Sequence, residues 1–286
     1  MRTLSFTVPA GYDGKKLLAF LRGEAGLSHR LVNSLKRVET GLMLNGEHAR
    51  TIDVIRAGDR VEVNIPAESP QAEPLDVDLD IVYRDDDIMV INKPAGLAMH
   101  PTHNHQGDTL QNAVLSYFAK TGAPGGFHAV GRLDKCTSGA VIIALNRYSA
   151  ARLQGNYAKT YLAVAGGVLT GSGTIDVPIY RPDPNKTVRA CGDIGERAVT
   201  HWRAVKNDDV STLVKVTLET GRTHQIRAHF AHIGMPLAGD DMYGSTDDRI
   251  NRAALHCASV GFIHPVTGER LEFTVPLSED MLSLGF

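Results

Sequence analysis

The chain has 286 residues, 43% hydrophobic and 22% charged, with a formal net charge of −2, the composition of a soluble globular protein with one large domain or a small one beside a larger one. Without a global basic field, any nucleic-acid partner has to be held by local patches. Three cysteines, Cys136, Cys191 and Cys257, with no C-x-x-C pair, argue against a disulfide framework or a thiolate zinc site and for a reducing compartment.

The opening residues, "MRTLSFTVPAGYDG", lack the apolar stretch of a secretory signal, and no apolar run approaches the roughly 20 residues of a membrane helix. A cytoplasmic protein with no membrane partner is expected. Leu17, Leu18 and Leu21 share helical spacing, as do Leu31, Leu35 and Val38, with Ser28 placed as a helix cap. "LMLNGEHA" puts Asn45-Gly46 in a hairpin position, and "AGDRVEVNIP" reads as a turn into a strand. Residues 1–66 hold 10 Lys or Arg against 7 Asp or Glu, whereas residues 67–80 hold five acids, two prolines and no base. The expected organisation is a small module over 1–66, an extended, solvated acidic linker over 67–80, and a large domain over 81–286.

Beyond residue 81, strand-like runs ("IVYRDDDIMVINKP", "GAVIIALN", "KTYLAVAGGV", "THWRAVKN", "STLVKVTLET", "RLEFTVP") outnumber helical ones ("DTLQNAVLSYFAK", "NRYSAARLQ", "THQIRAHFAHIG"). This mixture predicts an α+β domain on a mixed, largely antiparallel sheet. No repeat and no glycine-rich phosphate loop is present.

Unusual residues concentrate in three segments: "NKPAGLAMHP" (92–101), "VGRLDKCTSGAVIIALN" (130–146) and "ETGRTHQIRAHFAHIGMPLAGDDMYG" (219–244). His229 and His232 share a helix face, but that helix has no acidic residue and no H-E-x-x-H spacing, which argues against a metal site. Cys136 has a cationic neighbour in Lys135 but no positioned histidine, so a structural thiol is expected. Arg222 and Arg227 read, taken alone, as a solvated basic helix end. Asp134, placed just before an apolar strand, suits a buried carboxylate that needs a guanidinium partner.

In this order the segments are recognisable. "GRLDKCTSG" resembles the H-R-L-D-x-x-T-S-G motif of the RluA family of pseudouridine synthases, and "NKPAGLAMHP", "KTYLAVAGG", "GRTHQIRAH", "PLAGDDMYG" and "ALHCASVGFIHP" match in sequence order. The resemblance covers residues 81–286. The N-terminal module resembles the ribosomal-protein-type αL RNA-binding domain that many members carry.

The resemblance implies conversion of uridine to pseudouridine in ribosomal or transfer RNA, without metal or organic cofactor; the oligomeric state stays open, with a monomer as the default. It implies Asp134 as the catalytic aspartate, acting on the sugar as nucleophile or base. Arg227 is implied as the buried arginine paired to that aspartate, and Tyr161 as the tyrosine that stacks on uracil and takes the proton from carbon 5. Leu255 is implied on the other side of the pocket, and Arg132 in the space the flipped base leaves. Lys93, His100 and Arg222 are expected as RNA-backbone contacts or loop supports. Two other classes stay open from the residues alone: a degenerate synthase that only binds RNA, and a metal-dependent hydrolase. One position departs from the family: Gly131 stands where histidine is usual, which leaves the substrate class and the loop's rigidity open.

Overall fold

The computed structural model describes residues 1–68, 73, 75–101 and 106–286. The first part is a four-stranded sheet in the order β1-β4-β2-β3, formed by Arg2–Thr7 (β1), Leu42–Leu44 (β2), Glu47–His48 (β3) and Arg60–Ile65 (β4). Two helices, Leu17–Arg22 (α1) and His29–Leu35 (α2), close its core. Helical spacing buries Leu17, Phe20 and Leu21 from α1 and Leu31, Val32 and Leu35 from α2, while Leu18 stays exposed. The Ser28 side chain caps α2 by accepting from the Leu31 amide at 3.2 Å. The helix ends three residues before Val38, because the amides of Arg37 and Val38 bond the Ser34 and Leu35 carbonyls in a tightened last turn. Asn45 and Gly46 both adopt positive φ, the backbone a two-residue hairpin turn requires.

The predicted boundary near residue 70 lies outside the described residues. The described parts of 67–80 have no regular secondary structure and are mostly exposed, and several of their groups bond the large domain. Glu68 accepts from His128 and Arg147, the Glu73 carbonyl accepts from Asn112, Asp76 pairs with Lys120, and Asp80 accepts from Asn92.

From residue 81 the chain builds a ten-stranded mixed sheet. Its strands are Ile81–Arg84 (β5), Ile88–Lys93 (β6), His128–Val130 (β7), Ser138–Ala144 (β8), Tyr157–Gly166 (β9) and Ser172–Asp176 (β10). A two-stranded excursion, Ile179–Tyr180 (β11) with Ala190–Cys191 (β12), interrupts it. Val199–Asn207 (β13), Ser211–Leu218 (β14), Leu255–Ile263 (β15) and Arg270–Thr274 (β16) then complete it. The main order is β10-β13-β14-β9-β15-β8-β6-β5, with β16 beside β15 and β7 beside β8. Leu110–Thr121 (α3), Arg147–Leu153 (α4), Gln225–His232 (α5) and Glu279–Leu282 (α6) complete the α+β architecture. Among the described residues, no helix is long and apolar enough to cross a membrane.

All ladders named above are antiparallel except one: β8 and β15 run parallel, with Ser138 opposite His256 and Gly139 opposite Cys257. Gly139 has φ +111°, and a Cβ there would run into the Cys257 backbone, so only glycine admits this approach. All seven residues of β8 are buried. The apolar run after Asp134 is thus a rigid central strand that fixes the loop in front of it.

The two parts are joined by more than chain. Tyr148 of α4 is buried in the core of the first part, and Arg2 of β1 forks onto Asp87 (Nε–Oδ1 3.0 Å, Nη2–Oδ2 2.6 Å). Asp85, Asp87 and His264 cluster closely enough to hold a cation. Their oxygens are already spent: Asp87 on Arg2 and Asn146, Asp85 on His264, Tyr83 and the Asp87 and Ile88 amides. The cluster is an ion-pair network.

Candidate active site

Residues 131–137 leave β7 and turn into β8 at the centre of the sheet. Leu133 points into the core while Arg132 and Lys135 are exposed, and Asp134 between them is half-buried. The Thr137 amide donates to the Asp134 carbonyl at 3.0 Å, and the Gly96 amide donates to the Lys135 carbonyl at 2.8 Å, docking the loop on the segment after β6.

Lys93 closes that dock from below. It is fully buried, and its ammonium donates to the carbonyls of Pro94 (2.8 Å), Leu97 (2.9 Å) and Lys135 (3.5 Å). Burial pulls its pKa down to about 8. The expectation of an RNA contact at Lys93 is therefore corrected to its alternative: a side chain with no exposed surface supports the loop and cannot reach a phosphate.

Across the cleft, β9 turns Tyr157, Lys159 and Tyr161 to one face by the two-residue strand period. Tyr161 is buried, and burial, with the nearby Cys257 and Asp134, drives its phenol pKa well above the ordinary value. The ring is thus an uncharged platform at neutral pH. Leu255, the first residue of β15, is buried in the same hollow as Tyr161, Asp134 and Arg227.

Helix α5 delivers Arg227. Its start is set by Gln225, whose side chain accepts from the Arg222 amide and the Thr220 hydroxyl and donates to the Val199 carbonyl. His224 just before it holds φ +57° and meets the Tyr243 hydroxyl at 3.1 Å. Arg227 forks onto Asp240, Nε–Oδ2 2.7 Å and Nη2–Oδ1 2.6 Å, and its guanidinium lies 5.0 Å from the Tyr243 ring centre. Burial works against the charged guanidinium, but the Asp240 fork outweighs it and raises the pKa above the ordinary arginine value.

The expected pairing of Arg227 with Asp134 is corrected accordingly. The bidentate partner is Asp240, which is completely buried and would be an uncompensated charge without the fork. Asp134 still acts on Arg227 through its charge, and Arg227 Nη1 has no hydrogen-bond partner among the described residues.

The remaining expected residues divide by exposure. Arg132 is exposed on the cleft, with no ion pair among the described residues. His100 is exposed at the cleft edge, bonded to Gln111 at 3.1 Å and edge-on to Phe127. Arg222 is exposed but committed, pairing with Glu196 and donating to the Arg197 carbonyl, so it serves as a loop support. His229 is spent on Thr200 (2.8 Å) and the Val177 carbonyl (2.9 Å), which removes it as a metal ligand. Burial pushes the Cys136 thiol up, keeping it protonated and unsuited to nucleophilic attack.

Asp240 and Arg252 were missed by sequence reasoning. The need of a buried arginine for a buried carboxylate, read against "AGDD", was the signal for the first. Arg252 bonds the carbonyls of Cys136 (3.0 Å) and Leu255 (3.1 Å) and the carboxylate of Asp280, tying loop, pocket wall and α6 together. Nothing in local pattern announces it.

The result is one open cleft of about 1710 Å³ that holds Arg132, Asp134, Tyr161 and Arg227 together. A carboxylate, a flat aromatic wall and an apolar wall around one hollow suit chemistry at a sugar carbon beside a planar base. Comparison with known proteins gives the family. A model described as RNA pseudouridylate synthase matches residues 87–232. An uncharacterized RNA pseudouridine synthase of Bacillus subtilis, YjbO, is 38% identical over 272 residues, covering 92% of this chain and 95% of that protein. Ribosomal large subunit pseudouridine synthase D of Escherichia coli K12 is 37% identical over 250 residues, covering 80% of this chain and 77% of that one. The solved structure of human RNA pseudouridylate synthase domain containing 1 superposes with a TM-score of 0.58 at 27% identity, over 73% of this chain and 86% of that chain.

Proposed function

Because the chain belongs to the RNA pseudouridylate synthase family and is an isomerase of uridine in RNA, we propose that it acts on large-subunit ribosomal RNA, with Asp134 as the group that works on the ribose. The reaction breaks the bond from ribose C1′ to uracil N1 and forms one from C1′ to C5. A proton leaves C5 and one is gained at N1, so nothing is consumed. What the protein has to supply is a carboxylate at the sugar and a surface that keeps the loose base in place.

The observation that carries the reading is the convergence of Asp134, Tyr161, Leu255 and Arg227 on one hollow from four separate elements: the loop before β8, β9, β15 and α5. Asp134 addresses the sugar, as nucleophile or as base. Tyr161 stacks on the uracil; an uncharged phenol accepts the C5 proton only by passing its own on. Leu255 closes the other side. Arg227, locked by Asp240, keeps Nη1 for Asp134. A uridine inside a stem reaches this hollow only by flipping, at a cost of a few kcal/mol, and Arg132 fills the gap.

The ribosomal target is supported by relatives named as large-subunit enzymes in Xanthomonas campestris and Escherichia coli. Residues 1–66 act in this reading as an RNA-binding module, supported by His29, Arg30, Asn33, Lys36 and Arg37, all exposed on and just after α2. With module and cleft in one chain, a cytoplasmic monomer suffices. Pseudouridine mapping in cells with and without the gene tests the target. Loss of specific sites in large-subunit ribosomal RNA is expected. Loss confined to transfer RNA, or no loss, contradicts the reading.

A further inference from the structure

Gly131 has a structural counterpart that the reaction does not use. Its φ is +71°, and a Cβ there would run into the hydroxyl of Tyr157 and stand 3.1 Å from the ammonium of Lys159. The volume a side chain at 131 would fill is therefore held by two residues of β9. Both line the cleft, on the same strand face as Tyr161. By strand geometry Lys159 lies about 7 Å from Tyr161 along the strand, and Tyr157 about 13 Å.

Lys159 is half-buried, with its ammonium 5.4 Å from the centre of the Tyr157 ring. Among the described residues no carboxylate lies within ion-pair distance of it. The acidic group that acts on it is the Cys257 thiol, which burial pushes up to about 12, so it stays neutral. A cation withdrawn from water with no anion beside it, on the wall of an RNA cleft, is matched by a phosphate. The Tyr157 ring beside it is matched by the face of a base.

We propose that Tyr157 and Lys159 form a second nucleotide subsite, which holds the nucleotide next to the flipped uridine by its phosphate on Lys159 and its base on Tyr157. Gly131 is the complement of that subsite, since any side chain there would close it. The subsite rests on the reading of the cleft as a uridine-isomerising site and adds to it a determinant of which sequence neighbourhood is accepted.

The test is tritium release from an unmodified large-subunit ribosomal RNA transcript labelled at uracil carbon 5, with kcat and KM measured separately. Tyr157→Ala and Lys159→Gln are expected to raise KM about tenfold with kcat held within about twofold, in keeping with the loss of one stacked base or one phosphate contact. Tyr157→Phe and Lys159→Arg keep ring and charge and are expected to restore KM. Lys159→Gln should also flatten the dependence of log KM on log salt by about 0.7. An unchanged KM, a fall in kcat with KM unmoved, or no rescue by the conservative variants overturns the subsite. Failure of the wild-type protein to release tritium counts against the parent reading instead. Should Tyr157→Ala not fold, the Lys159 pair and its salt slope decide alone.

Discussion

Arg227 and Asp240 offer the sharpest test of how the cleft is held. Their side chains are 6% and 0% exposed and joined by two hydrogen bonds of 2.7 and 2.6 Å. Asp240→Asn keeps the shape but leaves the guanidinium as an unpaired buried charge, which costs about 3–5 kcal/mol. Asp134 is half-buried, with no hydrogen bond donated to its carboxylate among the described residues, so Asp134→Asn should cost under about 1 kcal/mol. Urea unfolding followed by the fluorescence of Trp202 measures both, because the single tryptophan lies on β13 of the large sheet. Asp240→Asn should also lower turnover by about 100-fold through misplacement of Arg227, although Asp240 touches no substrate in this account. In a double-mutant cycle, Arg227→Met with Asp240→Asn should cost less than the sum of the single changes by about 2 kcal/mol or more. If Asp240→Asn were nearly neutral while Asp134→Asn cost several kcal/mol, the buried partner of Arg227 would be Asp134 and the arrangement described here would be wrong.

Two further outcomes follow from the same structure. Arg2→Ala removes the fork onto buried Asp87; because the arginine side chain is itself 29% exposed, the cost should be about 1–3 kcal/mol. Limited proteolysis should then cut between the N-terminal module and the sheet faster than in the wild type, and an unchanged rate would show that the Arg2–Asp87 fork does not hold the module. His256 is buried with its pKa depressed to about 4, chiefly by burial and then by Arg252. Its neutral form is the native one, so the unfolded chain takes up the proton first as pH falls below about 6.5. Stability is therefore lost between about pH 6.5 and 4, with about 2 kcal/mol gone between pH 7 and 5. His256→Gln should flatten that part of the profile, and a profile identical to the wild type would remove His256 as its source.

Much of the site could be read from residue order because its parts are local. The loop before β8 is bounded by an apolar run long enough to mark a buried strand, and α5 coincides with the helical run "THQIRAHFAHIG". The N-terminal helices and the Asn45-Gly46 hairpin are equally local. What sequence did not deliver is long-range partnership. Arg227 needs a buried carboxylate, and both Asp134 and Asp240 satisfy that requirement on paper; only the tertiary packing of α5 against the Asp240 loop decides between them. Lys93 reads as a phosphate ligand until its complete burial under three carbonyls is seen. The acidic run over 67–80 is largely exposed, but its partners His128, Arg147, Asn112 and Lys120 along the large domain could not be read from it. Gly131 looks like turn punctuation, and its meaning depends on Tyr157 and Lys159, more than 25 positions on.

In the proposed mechanism, uridine isomerisation depends on the carboxylate of Asp134, brought to the cleft by the loop before β8. Tritium release from RNA labelled at uracil carbon 5 measures this directly, with Asp134→Asn beside the wild type and RNA binding recorded for both. Release by the wild type, none by the variant and binding retained by both is the predicted result. Release by the Asp134→Asn protein at the wild-type rate would contradict it.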